Sequence, residues 1–227
     1  MNTQQSKKLK VIITGTTGMV GEGVLHECLQ HNDVEQVLLV NRKTSGLTHP
    51  KLKEILHTDF FNLSAIEEQL GGYNACFFCL GVSSVGMKEP EYYHLTYDLT
   101  MHFAETLSKQ NNNEMTFCYV SGAATDSTEQ GKVMWARVKG KTENDLMKLP
   151  FKAVYNFRPG ALEPTKGLKN TLVYYNYLGW LMPIIRLLAP KHICKLKDLG
   201  MAMINAASKG FTKKIVEVPD IIALSKQ

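Results

Sequence analysis

A chain of 227 residues is long enough for one sizeable domain, and 44% hydrophobic with 21% charged residues excludes a disordered or low-complexity polymer. The net charge of +5 comes from scattered lysines and arginines, which excludes a concentrated nucleic-acid surface and leaves a mild preference for anionic small molecules. Five cysteines, an odd number without a secretory-signal pattern, argue against a disulfide framework and lead us to expect a reducing, cytoplasmic setting.

Short β-branched runs alternate with longer amphipathic ones, the pattern of βαβ units and a parallel sheet. Lys7, Lys8 and Lys10 lead into an apolar run too short for a signal-peptide core. That run, Leu9–Thr14, reads as a buried strand. Met19–Gln30 follows as a helix ending in His31-Asn32-Asp33, and Val34–Asn41 as a second strand ending at Arg42-Lys43. After a loop with Gly46 and Pro50, a shorter strand is expected around Glu54–His57, then Asp59-Phe60. Ser64–Leu70 reads as a short helix closed by Gly71-Gly72, and Asn74–Gly81 as the fourth strand. Cys76 and Cys79 have C-x-x-C spacing, but residues three apart on a strand face opposite sides. No second pair accompanies them, so they read as core residues, and no metal site is expected.

Glu89–Gln110 reads as one long helix, with Leu95, Leu99, Phe103 and Leu107 at near-helical spacing. Met115–Ser121 is the fifth strand, Val133–Leu149 a helix stopped by Pro150, and Lys152–Phe157 a sixth strand ending in Arg158-Pro159-Gly160. Asn170–Leu188 and Asp198–Ser208 read as helices before a last strand, Lys214–Val218. With no repeat and no linker, the expectation is one Rossmann-type α/β domain over residues 1–227. It has a doubly wound parallel sheet with helices on both faces and a small C-terminal helical cap from about residue 161 to 227. The most apolar stretch, Leu172–Leu188, is interrupted by Asn176, Gly179, Pro183 and Arg186 and is short for a bilayer span. It reads as a cap helix packed on the sheet or a partner subunit, with peripheral membrane contact as the lesser alternative. A monomer and a homodimer both fit.

The strongest motif is Thr14-Gly15-Thr16-Thr17-Gly18-Met19-Val20-Gly21, because it follows a strand and opens a helix. In such a turn Gly15 permits the tight strand-to-helix bend and Gly18 lets the backbone approach a pyrophosphate. The helix N-terminus meets the phosphate charge, and Gly21 lets helix and strand pack closely. Gly15, Thr16, Thr17, Gly18, Met19 and Val20 are therefore candidate cofactor contacts. NAD-specific sites place an acid at the end of the second strand, whereas this run has Arg42 and Lys43 and no neighbouring carboxylate. A guanidinium suits a 2′-phosphate, so NADP is expected over NAD.

This turn resembles that of the extended and atypical short-chain dehydrogenases and epimerases. Asp59-Phe60, Cys79-Leu80-Gly81, Ser121, Val138-Lys139-Gly140 and Arg158-Pro159-Gly160 extend the resemblance over roughly residues 9 to 209. The combination is similar to the Tat-interacting-protein branch of the atypical members, often labelled nucleoside-diphosphate-sugar epimerase-like. The resemblance implies that Asp59 and Phe60 flank the adenine and that Leu80 and Gly81 pass under the adenosine ribose and pyrophosphate. It further implies that Lys139 holds the nicotinamide ribose hydroxyls, with Pro159 and Gly160 near the nicotinamide.

The family's chemistry uses a tyrosine four residues before that lysine, one turn away on the same helix face. The cation lowers the phenol's pKa so that it shuttles a proton while hydride moves. Here that position holds Trp135, whose indole N–H does not titrate near neutral pH. Ser121 is the candidate serine partner, although relatives often place the hydroxyl where this chain has Gly122 and Ala123. Thr96 stands where extended members carry an asparagine. Water, Ser121, Thr125, Tyr93 and Tyr97 are the candidate substitute donors, although Tyr93 and Tyr97, with His94 between them, and His102 also read as ordinary packing and surface.

Two readings follow. One is an NADP(H)-dependent oxidoreductase or epimerase-like enzyme acting on a small carbonyl or sugar-nucleotide substrate. The other is a non-catalytic NADPH-binding sensor or interaction module.

Overall fold

The computed structural model describes residues 8–110, 113–171, 187, 189 and 191–227. Along the chain the strands are β1 (Leu9–Thr14), β2 (Val34–Asn41), β3 (Leu52–Leu56), β4 (Ala75–Phe78), β5 (Thr116–Val120), β6 (Ala153–Arg158), β7 (Ala161–Glu163), β8 (Ile193–Lys195) and β9 (Ile215–Glu217). Seven of them form one sheet in the order β3-β2-β1-β4-β5-β6-β9, with every pairing parallel. The sheet direction of travel reverses between β1 and β4, the place where doubly wound folds open a ligand crevice at the strands' carboxyl ends. β7 and β8 pair with each other in a small second sheet.

Buried parallel strands need cover on both faces, and alternation along each strand supplies two apolar surfaces. Among the described residues the α-helices are α1 (Met19–Gln30), α2 (Glu89–Tyr93), α3 (Leu99–Gln110), α4 (Met134–Leu146), α5 (Leu196–Lys209) and α6 (Val218–Leu224). Val11 and Ile13 of β1 meet Val24 and Leu25 of α1 and Leu199 and Met203 of α5 in one core. Ile12 faces the opposite core, with Phe103 and Leu107 of α3 and Leu146 of α4. The two helix layers make the fold doubly wound, as expected. Cys76 packs in the second core, whereas Cys79 packs against the first.

β1, α1 and β2 have the expected bounds, since each couples strong periodicity to a clear turn. Other elements differ. The short helix before β4 is a 3₁₀ turn, Glu67–Leu70, and the long helix is divided by a π-helical turn, His94–Asp98, between α2 and α3. β3 begins at Leu52, ahead of the expected Glu54. α6 starts where the last strand was expected to end, because Pro219 is tolerated in a helix's first turn. Most of the expected helix Asn170–Leu188, and with it nearly all of the apolar stretch Leu172–Leu188, lies outside the described residues. Among the described residues no helix is long and apolar enough to cross a membrane.

One ion pair ties α4 to the sheet. Glu143 of α4 is fully buried and accepts from Arg158 Nε at 3.0 Å and Nη2 at 2.5 Å. Arg158 ends β6, also donates to the Ser127 hydroxyl oxygen at 2.5 Å, and reaches Glu217 of β9 at 3.4 Å. A bidentate pair of this kind satisfies both charges, and removing one partner strands the other. Glu143→Ala is therefore expected to destabilise the fold by roughly 3–5 kcal/mol, with much of the loss recovered in Glu143→Ala/Arg158→Met. Urea midpoints check this, and a double variant no more stable than the single one would contradict it.

Candidate functional site

The crevice begins at the glycine turn after β1. Gly15 has φ +74° and sits so near the end of β4 that a Cβ would lie 2.7 Å from the Cys79 carbonyl and the Leu80 nitrogen. A Cβ on Gly21 would lie 2.3 Å from the Gly15 oxygen. These approaches bring the start of α1 against β1 and β4 and leave its N-terminus open. Gly18 is the helix N-cap in an extended conformation, φ −109°, and no side chain caps the helix there. The first N–H groups of α1 are thus available to an anion.

Around this turn lie two clefts. The first, about 470 Å³ of space open to solvent, is lined by Arg42, Asp59, Phe60 and Leu80 together with Phe61 and Leu95 among others. Four of the residues expected to surround an adenosine are thus brought together from the ends of three strands. Phe60 contributes an edge only, since it is 4% exposed and stacks on Phe103 with centroids 5.7 Å apart. Phe61 lies more openly, stacked on the His94 imidazole at 4.2 Å. Gly81 is exposed, with nothing within 4 Å of where a side chain would begin. The second cleft, about 410 Å³, is lined by Thr16, Thr17, Glu22, Thr44, Ser45 and Lys169 among others. Thr17 is exposed, and Met19 and Val20 are half-buried beside it. Thr16 is buried, its hydroxyl tied to the Asn41 side chain at 2.7–3.0 Å, so only its backbone faces a ligand. Lys43 is exposed and lines neither cleft.

The expectation that no carboxylate lies near Arg42 and Lys43 is corrected by Glu54. This β3 residue accepts hydrogen bonds from Asn41 Nδ2 at 3.0 Å, the Ser45 N–H at 2.8 Å and the Thr44 hydroxyl at 2.7 Å. It reaches the end of β2 by strand pairing, which no local spacing reveals. Glu22 is a second carboxylate the sequence did not single out. It accepts the N–H groups of Lys169 and Asn170 at 2.8 and 2.7 Å, pinning that segment to the first turn of α1.

At the other half of the crevice, Ser121 does not present its hydroxyl. It is 2% exposed, and its Oγ donates to Glu143 Oε1 at 2.5 Å, with the Phe157 oxygen 3.1 Å away. The buried ion pair has taken it, which corrects its expected catalytic position. Gly160 is likewise a packing residue, since a Cβ there would overlap the His192 carbonyl, and the Pro159 oxygen accepts the Ala123 N–H at 2.8 Å. Tyr97 donates to Asp145 at 2.7 Å, and burial followed by that carboxylate pushes its pKa well up. Tyr93 packs on the Tyr97 ring at 4.7 Å. The Thr125 hydroxyl donates to the Gly122 carbonyl at 2.8 Å.

Lys139 remains. Its ammonium donates to the Ser121 carbonyl at the carboxyl end of β5. Burial lowers its pKa to about 8, and the charge of Glu143 one turn on opposes that shift. Trp135, one turn earlier, is half-buried and packs in neither hydrophobic core. Because the folded-state pKa is lowered, the cost of burying this ammonium falls as pH rises from about 8 towards the unfolded value. Lys139→Met should therefore gain stability relative to the unmutated protein at about pH 7 and lose that gain towards about pH 10. Denaturation midpoints that differ equally at both pH values would contradict this.

Comparison with known proteins places this geometry. The model of the NAD dependent epimerase/dehydratase family matches residues 11–134, more than half of the chain. Two curated relatives are Protein FMP52-1, mitochondrial, of Scheffersomyces stipitis and Protein FMP52, mitochondrial, of Debaryomyces hansenii. They are 25% and 26% identical over 72% of this chain and 74% and 73% of theirs. Their names overturn the expected cytoplasmic setting, because an odd set of free thiols reports reducing surroundings and not a compartment. Among solved structures, the UDP-N-acetylglucosamine 4-epimerase of Methanobrevibacter ruminantium, in complex with UDP-N-acetylmuramic acid, has a TM-score of 0.66 at 14% identity. It is covered over 75% of its chain by 92% of this one. The dTDP-glucose 4,6-dehydratase DesIV of Streptomyces venezuelae, with NAD and TYD bound, has a TM-score of 0.67 at 13% identity and the same coverages of 92% and 75%. At such identities these structures share the fold. The glycine turn, the parallel sheet and the family match together make this chain a member of the NAD dependent epimerase/dehydratase family.

Proposed function

We propose that this protein binds NADP(H) and uses it as an oxidoreductase or epimerase-like enzyme on a small carbonyl or sugar-nucleotide substrate. The carrying observation is the convergence at the ends of β1, β2, β3 and β4 of an open helix N-terminus with the cleft formed by Arg42, Asp59, Phe60 and Leu80. The ligands of the two solved structures, NAD in one and UDP-N-acetylmuramic acid in the other, support a dinucleotide and a nucleotide-linked sugar here. When bound, the nicotinamide would supply or accept a hydride.

This chain's own residues then divide the work. The backbone from Gly15 to Val20 would hold the pyrophosphate, Leu80 and Gly81 would underlie the adenosine ribose, and Arg42 would meet the 2′-phosphate. Lys139 would bond the nicotinamide ribose hydroxyls beside Pro159 from its place against the carboxyl end of β5. The engagement of Ser121 by Glu143, with Trp135 in the tyrosine's place, supports the second reading, a non-catalytic NADPH-binding module. A screen of carbonyl and sugar-nucleotide substrates for NADPH oxidation separates the two. Turnover abolished by Lys139→Met supports the enzyme, and binding without turnover of any substrate supports the module.

Arg42→Ala should weaken NADPH binding about tenfold or more and leave NADH within about twofold, since one charge-assisted hydrogen bond contributes about 1.5–3 kcal/mol. Equal calorimetric affinities for NADPH and NADH in the unmutated protein would contradict the NADP(H) preference. A Cβ at Gly18 would meet only the Gly15 oxygen, at 3.5 Å. Gly18→Val should therefore fold and lose dinucleotide binding, and a folded variant of unaltered NADPH affinity would place the cofactor elsewhere.

A further inference from the structure

The carboxylate that NAD-specific sites carry at the end of the second strand is missing from Asn41-Arg42-Lys43, yet the structure delivers one from the neighbouring strand. β3 pairs in register with β2, Glu54 opposite Leu39 and Leu56 opposite Asn41. The Glu54 side chain enters the loop after β2. Oε1 accepts from Asn41 Nδ2 at 3.0 Å and from the Ser45 N–H at 2.8 Å, and Oε2 accepts from the Thr44 hydroxyl at 2.7 Å. One of these bonds precedes Arg42 and Lys43 in sequence and two follow, so the carboxylate sits inside the arc of chain that carries both cations. Among the described residues neither cation forms an ion pair. Asn41 passes the connection on to Thr16 in the glycine turn, at 2.7–3.0 Å.

Burial would raise the Glu54 pKa, but the bonds from Ser45, Thr44 and Asn41 outweigh it and hold the carboxyl below its usual range. The group is an anion at neutral pH. Its oxygens are turned to the loop, so it contributes charge to the dinucleotide site without offering itself to a ribose. Around the two clefts the other charges include Arg42 and Asp59 in the first, and in the second Lys169 and Glu22, which is occupied by two backbone N–H groups; Lys43 is exposed outside both.

We infer that Glu54 is a specificity-determining residue whose negative charge, fixed beside Arg42 and Lys43, limits how strongly the site prefers a 2′-phosphorylated dinucleotide to an unphosphorylated one. This rests on the reading that Arg42 meets the 2′-phosphate. A fixed anion near a phosphate repels it, and the repulsion is screened by salt.

The test is calorimetric titration of the full chain at low ionic strength with two probes, 2′,5′-ADP and 5′-AMP. Glu54→Gln, which keeps the shape and removes the charge, should tighten 2′,5′-ADP roughly three- to tenfold and leave 5′-AMP within about twofold. The gain should fade at about 0.5 M salt. Glu54→Asp, which keeps the charge and shortens the reach, should retain the unmutated ratio of the two affinities. An unchanged ratio in Glu54→Gln overturns the inference. So does a parallel loss of both probes, or a Glu54→Asp variant that behaves like Glu54→Gln, because each would make Glu54 a loop support only. If the unmutated protein does not prefer 2′,5′-ADP and Glu54→Gln creates no preference, the NADP(H) reading itself fails. A preference that Glu54→Gln leaves untouched sinks this inference alone.

Discussion

The buried pair of Glu143 and Arg158 decides the character of half the crevice. Two charges withdrawn from water persist only when their remaining hydrogen-bonding capacity is met, and here it is met by Ser121, Ser127 and Glu217. The pair therefore locks α4 onto the ends of β5, β6 and β9. It also consumes the hydroxyl of Ser121, which the resemblance had assigned to chemistry. Lys139, one turn before Glu143 on the same helix, is then left to bond the Ser121 carbonyl. The same interaction holds α4 to the sheet and engages the Ser121 hydroxyl.

The other half depends on backbone approach. Gly15 and Gly21 let β1, β4 and the start of α1 come within distances that a methyl group would forbid. This keeps the N-terminus of α1 uncapped at the point where the sheet order reverses. The loop after β2 completes this half through the chain of bonds Thr16–Asn41–Glu54–Thr44. The half at β1 and β2 is thus built from main-chain geometry held by polar side chains, whereas the half at β5 and β6 is built around an ion pair. The contrast supports a dinucleotide site that has kept its architecture beside a departure in the acid–base apparatus.

Much of this was legible before any coordinates. Leu9–Thr14, Met19–Gln30 and Val34–Asn41 are each bounded by their own turn residues, and their apolar spacing has one reading. The resemblance implied Asp59, Phe60 and Leu80 as cofactor contacts, and they meet Arg42 in one cleft because parallel strands all deliver their carboxyl ends to one edge. β7 and β8 carried no comparable signal, being three residues each and paired only through tertiary contact. The π-helical turn at His94–Asp98 left none either, because leucines spaced along one helix face look alike with or without one inserted residue.

The sequence by itself determined the doubly wound sheet, the glycine turn and the cationic end of β2, all of which follow from neighbours along the chain and from strand polarity. Only the tertiary structure decided which polar groups are free. Glu54 meets Asn41 across 13 residues by strand register, and Glu143 meets Arg158 across 15 and Ser121 across 22 by helix-on-sheet packing. Residue type fixes what a carboxylate or a serine hydroxyl can bond, but its partner is chosen by which surfaces must bury together. A buried hydrogen bond, once made, costs free energy to break, so each partner is held where packing put it.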